Sequence, residues 1–329
     1  MLILSMAIIF ELSDLRWNEG LKLMFYYSYG SPAFLFETFL RSVPLLLISI
    51  GLIFPFIAGV WNIGAEGQFY IGAIMATATA LLLGELPFPI PLIVATLSSC
   101  LGGALYALIP AFLRVKYDIN ELLTSLMLNF VAYYFLSYLL FGPLKNPMTQ
   151  FPETSPIPLS SRAPALIPNT RFNILTILAF VIVPITYISL TRTKFAVLIR
   201  YMGANLEAAL CMGININKLI YTTMALSGAL AGFAGAHEVL GVLYALRMGI
   251  SMNYGYVGIG LAYFGNLNPL GVFLVSLLAA GIINGTLMLS FFYNIPVGVY
   301  QVLLGAIPLF VIVSRRITCR VLNKSNLGI

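Results

Sequence analysis

Charge is scarce in this chain. Of its 329 residues only 9% are Asp, Glu, Lys or Arg, against about 25% in a soluble domain. There are too few charged side chains to coat a water-soluble globule, and composition excludes that class. Histidine occurs once, as His237, and one imidazole cannot assemble a metal cluster. The three cysteines, Cys100, Cys211 and Cys319, follow neither metal-site nor disulfide-framework spacing. No G-x-x-x-x-G-K-S/T phosphate loop is present, so the chain does not energise a process by binding ATP itself. Nor does any nucleophile–base pair or metal set stand out, which ranks a membrane-embedded enzyme last.

What remains is apolar. Hydrophobic residues make up 60% of the chain and mean hydropathy is +0.98, the composition of an integral membrane protein. Runs of spanning length, about 20 residues in a helix, lie at 40–60, 67–84, 88–113, 122–141, 173–191, 218–237, 268–291 and 296–314. A shorter run at 252–267 is rich in Gly and Tyr. The expected fold is an all-α, polytopic helical bundle of about 9–10 transmembrane helices with broken or re-entrant segments, forming one transmembrane domain over 1–329. Pro44, Pro55, Pro184, Gly281 and Gly285 fall inside these runs and are candidate break points. Met1–Phe10 has neither the basic start nor the cleavage site of a signal peptide and is too short to span. It reads as the tail of a first span that is truncated in this sequence.

Alternating the spans places Arg114, Lys116, Arg192, Lys194, Arg200 and Lys218 on one side with the tail residues Arg315, Arg316, Arg320 and Lys324. These ten face only Asp118, Glu121 and Glu207. On the other side basic and acidic residues nearly balance. The basic side is cytoplasmic by the Lys/Arg loop rule, so the C-terminus is cytoplasmic in a multi-pass plasma-membrane protein. The net charge of +6 reflects such loops, not a nucleic-acid surface. Segment 142–172 then lies outside. Its seven prolines (143, 147, 152, 156, 158, 164 and 168) fix φ and remove donors, so it is extended and stiff. It is either a connector or a docking surface for an extracytoplasmic partner.

Polar residues inside apolar runs are the candidate pathway. In NIGAEGQ, Asn62, Glu66 and Gln68 interrupt two long apolar runs. A charge at mid-bilayer costs about 3 kcal/mol even on the lenient insertion scale, so Glu66 faces the protein interior, sits protonated, or lies where water reaches it. Gly64 and Gly67 permit close backbone approach. These groups serve either a helix junction or a translocation path. Asn129 is interhelical glue or cavity lining by the same reasoning. His237-Glu238 follows Gly228, Gly232 and Gly235, whose spacing lets helices approach. Tyr254 and Tyr256 fit a membrane interface or a stacked ring ligand.

The cytoplasmic coupling loop, 200–217, contains a short helix signal. Asn205 caps it, Glu207 suits its first turn and Gly213 ends it, leaving Leu206–Met212. Two turns are marginal alone and need a surface, either the bundle itself or a separate subunit.

At these residues the chain resembles the permease subunits of ABC importers in the branched-chain amino-acid and simple-sugar superfamily, and within it the nucleoside-type permeases. The resemblance is carried by WNIGAEGQFYIGA (61–73), INELLTSLMLN (119–129), FGPLKNPMTQFPETSPIP (141–158), GANLEAALCMGIN (203–215), ALSGALAGFAGAHEVLG (225–241) and NYGYVGIGLAYFGNLNPLG (253–271). It implies a permease that works in a pair with a second permease subunit (homo- or heterodimer). Such a pair binds a cytoplasmic ABC ATPase and is fed by an extracytoplasmic substrate-binding protein. ATP and Mg belong on the ATPase, with no cofactor in this chain. Gly203, Ala204, Asn205, Glu207, Ala208, Ala209, Gly213 and Ile214 match the family's coupling segment. One departure stands out: Val257 occupies a position where relatives usually carry Asp, so an acidic contact is not carried over. The alternative class is an ion-coupled secondary transporter with Glu66 or Glu238 as proton carrier.

Overall fold

A computed structural model describes residues 17–168, 170–293 and 305. The helices in order are α1 Trp17–Tyr29, α2 Pro32–Ile57, α3 Ala65–Leu82, α4 Ile90–Tyr117, α5 Glu121–Phe141, α6 Ile174–Arg192, α7 Lys194–Ala204, α8 Leu206–Cys211, α9 Ile216–Ala236, α10 Tyr254–Phe264 and α11 Pro269–Tyr293. A π-helical turn, His237–Leu243, continues α9. Among the described residues the only β pairing is two isolated bridges, Glu153 with Arg247 and Ala165 with Asn173. The expected all-α polytopic membrane fold is therefore what the chain adopts.

Six of these helices are long and apolar enough to cross a membrane: α2, α4, α5, α6, α9 with its π turn, and α11. The run at 67–84 becomes α3, an 18-residue helix whose polar first turn lowers its hydropathy. The run at 252–267 becomes the 11-residue α10, about 17 Å long at 1.5 Å per residue and too short to span. The expected span at 296–314, the basic tail and the apolar start 1–10 lie outside the described residues.

The helices do not break where proline suggested. Pro44 and Pro55 sit within a continuous α2 and Pro184 within α6. A proline forfeits a single ladder bond, and neighbouring helices hold the rest of the turn. The interruptions fall instead at 58–64 and 244–253, where Gly59, Tyr244, Gly249, Met252 and Asn253 adopt positive φ.

Packing divides the described residues into two compact units, one lying within 1–42 and 275–329 and the other within 43–274. In the first, polar side chains tie α1, the start of α2 and the end of α11. Ser28 Oγ donates to the Gly281 carbonyl at 2.6 Å, Thr38 Oγ1 to the Ser28 carbonyl at 2.7 Å, and Asn284 Nδ2 to the Tyr27 carbonyl at 3.2 Å. Tyr27 and Phe292 stack with centroids 5.4 Å apart. Gly281 and Gly285 do not break α11: a Cβ at Gly281 would overlap the Tyr29 hydroxyl, and one at Gly285 would meet Met24. They are contact points for α1.

In the second unit, α3, α4 and α9 cross on small residues. A Cβ at Gly103 would overlap the Gly228 carbonyl oxygen, and one at Gly72 would overlap Gly232. Ser99 Oγ donates to the Gly232 carbonyl at 2.5 Å. With backbones this close, dispersion and short polar bonds hold helices together where lipid gives no hydrophobic drive. By contrast α4, α5 and α6 expose large apolar residues, among them Leu101, Leu105, Phe130, Tyr134, Tyr138 and Ile185.

Candidate functional site

Helices α3 and α10 start beside one another, and neither is capped by its own preceding side chain. Gly64 has none to offer, and Asn253 makes no side-chain cap bond. The orphan amides of a helix start need acceptors, above all away from water. For the Gly67 and Gly255 amides they come from other helices. Asn129 Oδ1, on α5, accepts from Gly67 N at 2.8 Å. Glu66 Oε2, on α3, accepts from Gly255 N at 2.7 Å, while Ser251 Oγ donates to Glu66 Oε1. Ser251 Oγ also accepts from Tyr254 N at 3.3 Å.

Glu66 is 3% exposed. A buried carboxylate persists only with compensating partners. The amides at the positive start of a helix are good ones. Gly255 is required for this approach: a Cβ there would fall within 2.7 Å of the Glu66 side chain and closer still to its backbone.

One turn away, Asn62 and Gln68 form a two-way amide pair. Asn62 Nδ2 donates to Gln68 Oε1 at 3.1 Å and Gln68 Nε2 donates to Asn62 Oδ1 at 3.0 Å. Asn62 also donates to Ser227 Oγ on α9 at 2.9 Å and accepts from Gly64 N at 2.9 Å. Asn129 Nδ2 donates to the Ile63 carbonyl at 2.8 Å and to the Tyr256 hydroxyl at 3.2 Å. Tyr254 is buried edge-on against Phe69, centroids 6.2 Å apart. Tyr256 is 37% exposed.

The structure thus brings Asn62, Glu66, Gln68, Asn129, Tyr254 and Tyr256 into one cluster. Glu238 stands apart. It is buried in the π turn with Oε1 3.8 Å from His237 Nδ1, and His237 Nε2 lies 3.0 Å from Thr176 Oγ1. Ser227, Ser251 and Gly255 complete the cluster, and nothing in their local sequence pairs them with Asn62 or Glu66. Their partners lie 165, 185 and 189 positions away, so only the fold reveals them. Among the described residues no group of three His, Cys, Asp or Glu could hold a metal ion.

A second polar junction closes the loop before α5. Arg114 pairs with Glu121, whose Oε1 also accepts from Trp61 N at 3.1 Å.

The 200–217 segment has the expected local form. Asn205 Oδ1 accepts from Ala208 N at 3.0 Å, α8 runs Leu206–Cys211, and Gly213 turns the chain at φ +73°. Ala209 is its one buried residue, and Ile214 packs at the edge of the core. Gly203, Ala204, Asn205, Glu207, Ala208 and Gly213 are exposed, as are Leu206, Leu210 and Met212. Gly203 lies against the Ile57 carbonyl at the end of α2.

This fold, with paired helix starts capped across the bundle and a short exposed helix between spans, defines a polytopic α-helical membrane protein. The family described as the permease component of the branched-chain amino acid transport system matches residues 34–313. The chain belongs to that family and is a transmembrane permease subunit of an ATP-binding-cassette importer. It is 32% identical to the glucose ABC transporter permease protein TsgB13 of Haloferax volcanii, across 90% of this chain and 80% of that protein. It is 29% identical to the guanosine ABC transporter permease protein NupP of Bacillus subtilis, across 93% of this chain and 88% of that one. Identity to the nucleoside ABC transporter permease protein NupB of Lactococcus lactis is 27%, across 79% and 74%. No solved structure matches. Membership implies, in general terms, an ATPase and a substrate-binding protein as partners.

Proposed function

We propose that this permease takes up nucleosides handed over by an extracytoplasmic binding protein, by alternating access, as one transmembrane domain paired with a second permease subunit. In this reading ATP and Mg are bound and hydrolysed on a cytoplasmic ATPase, and the chain's C-terminus is cytoplasmic. The observation that carries the reading is the junction at Glu66, where α3 and the short α10 meet. Every polar group in it, Asn62, Glu66, Gln68, Asn129 and the Tyr256 hydroxyl, has a protein partner. Such a site is not a standing pocket. It is a latch whose bonds are exchanged when the path opens, with Glu66, Asn129 and Tyr256 freed to meet a polar solute.

Glu238 lies outside this latch, and we assign it to the π turn. The ion-coupled alternative is less well supported, because both Glu66 oxygens already serve the fold. The exposed Leu206, Leu210 and Met212 support α8 as the element that meets the ATPase.

Guanosine and nucleoside permeases among the relatives support the nucleoside class, and the glucose permease supports a simple sugar as the second reading. Uptake of labelled guanosine and of labelled glucose by cells carrying the whole transporter separates them. Guanosine uptake that unlabelled glucose does not compete away supports the first. Glucose uptake alone overturns it.

A further inference from the structure

The outer segment 142–172 is no slack connector. Between 152 and 163 it runs along residues 240–248, the chain that leaves the π turn. Thr154 N donates to the Leu246 carbonyl at 2.9 Å, and Leu246 N donates back to Thr154 Oγ1 at 3.1 Å. Met248 N donates to the Pro152 carbonyl at 3.3 Å, Ile157 N to the Tyr244 carbonyl at 2.8 Å, and Ala163 N to the Leu240 carbonyl at 2.9 Å. The Arg162 guanidinium lies over the Tyr244 ring, 4.8 Å from its centroid. Thr154, Ile157 and Leu246 are almost fully buried. The same segment is tied to the far end of α3, where Ser160 Oγ donates to the Gly84 carbonyl at 2.6 Å and Ser161 Oγ to the Ala80 carbonyl at 3.1 Å.

What the strap holds is a crossing under strain. Tyr244, Met252 and Asn253 are non-glycine residues at φ 56°, 48° and 66°, a region that persists only where surrounding contacts over-determine it. Three residues after Met248 comes Ser251, on Glu66 Oε1, and then Gly255 N, on Glu66 Oε2. The strap therefore touches the distal end of α3 and also fixes the segment that meets Glu66 at its proximal end.

We propose that segment 152–163 is a strap that positions the 244–251 crossing. A load on the outer surface is relayed through it to the Glu66 latch, and Thr154 is the positioning residue of that relay. The inference rests on the importer reading given above. Strap and crossing move as one body: a binding protein that shifts the strap drags Ser251 and Gly255 off the carboxylate. Thr154 matters because its hydroxyl is the acceptor for a buried Leu246 N–H, and removing it leaves that amide unpaired.

The test uses the full transporter, permease with its ATPase and loaded binding protein, in proteoliposomes, comparing basal with binding-protein-stimulated ATP hydrolysis. Thr154→Val should lower stimulation at least fivefold with basal hydrolysis retained, and Thr154→Ser, which restores the hydroxyl, should recover it. Wild-type stimulation in Thr154→Val overturns the proposal, as does a Ser variant no better than Val. Glu153→Cys with Arg247→Cys joins strap to crossing at their isolated bridge. Closely opposed side chains at such a pair suit a disulfide. Oxidation of this pair should leave transport intact and should restore stimulation to Thr154→Val. A cross-link that blocks transport, or forms without rescue, also overturns it. If the unsubstituted transporter shows no stimulation at all, it is the importer reading that fails instead.

Discussion

Glu66 and Gly255, 189 positions apart, make the 2.7 Å bond that caps helix α10 from helix α3. A carboxyl group set against helix-start amides is one of the few ways to keep an acidic side chain inside a membrane protein. The bond joins α3 and α10 at their starts, and any separation of the two must break it.

Replacing Glu66 tests that bond. Glu66→Gln keeps the volume but offers an NH2 where one acceptor was needed, leaving an amide or hydroxyl unpaired. The expected loss is about 1–3 kcal/mol, read as a lower melting temperature of the purified permease in detergent. Glu66→Ala should lose more. Unchanged melting in both would mean that the cap contributes nothing.

Asn129 caps the other helix start. Asn129→Leu is close in size but strands the Gly67 amide, the Ile63 carbonyl and the Tyr256 hydroxyl. Two buried groups without partners should cost about 3 kcal/mol, again read by thermal melting. Tyr256→Phe removes a single half-buried bond and should cost less than about 1 kcal/mol.

The glycine crossing predicts a sharp contrast between two identical substitutions. Gly103→Ala forces a methyl into the Gly228 carbonyl and should prevent folded protein from accumulating in the membrane. Gly213→Ala meets open space and suffers only its positive φ, a cost of about 1 kcal/mol. Membrane yield and monodispersity on size exclusion separate them.

The α8 surface predicts a lesion in assembly without a lesion in folding. Leu210→Asp and Glu207→Arg change exposed side chains, so permease melting should stay within about 0.5 kcal/mol of wild type. Co-purification of the ATPase should fall. Full association and transport in both variants would remove α8 from the coupling role.

Much of this architecture was legible in the chain. Apolar runs located the long helices, and Asn205, Glu207 and Gly213 announced α8 because capping and glycine termination are local signals. The polar residues of NIGAEGQ and Asn129 were legible because a polar side chain in an apolar run needs a reason. The relationships among them were not. Nothing near residue 66 points to Ser251 or Gly255, because a tertiary cap has no sequence period. Prolines misled for a related cause: Pro44, Pro55 and Pro184 are accommodated by packing, while the actual interruptions rest on left-handed backbone at residues such as Tyr244 and Met252. The paired segment at 152–163 was hidden as well, since proline-rich composition indicates stiffness and says nothing about a partner strand.

The most direct test of the account is solute flux through reconstituted proteoliposomes. The permease alone should neither hydrolyse ATP nor accumulate labelled nucleoside, with or without a pH gradient. Adding the ATPase, the paired permease subunit and the loaded binding protein should produce ATP-dependent uptake that Leu210→Asp abolishes. Gradient-driven accumulation by the permease alone would contradict the account.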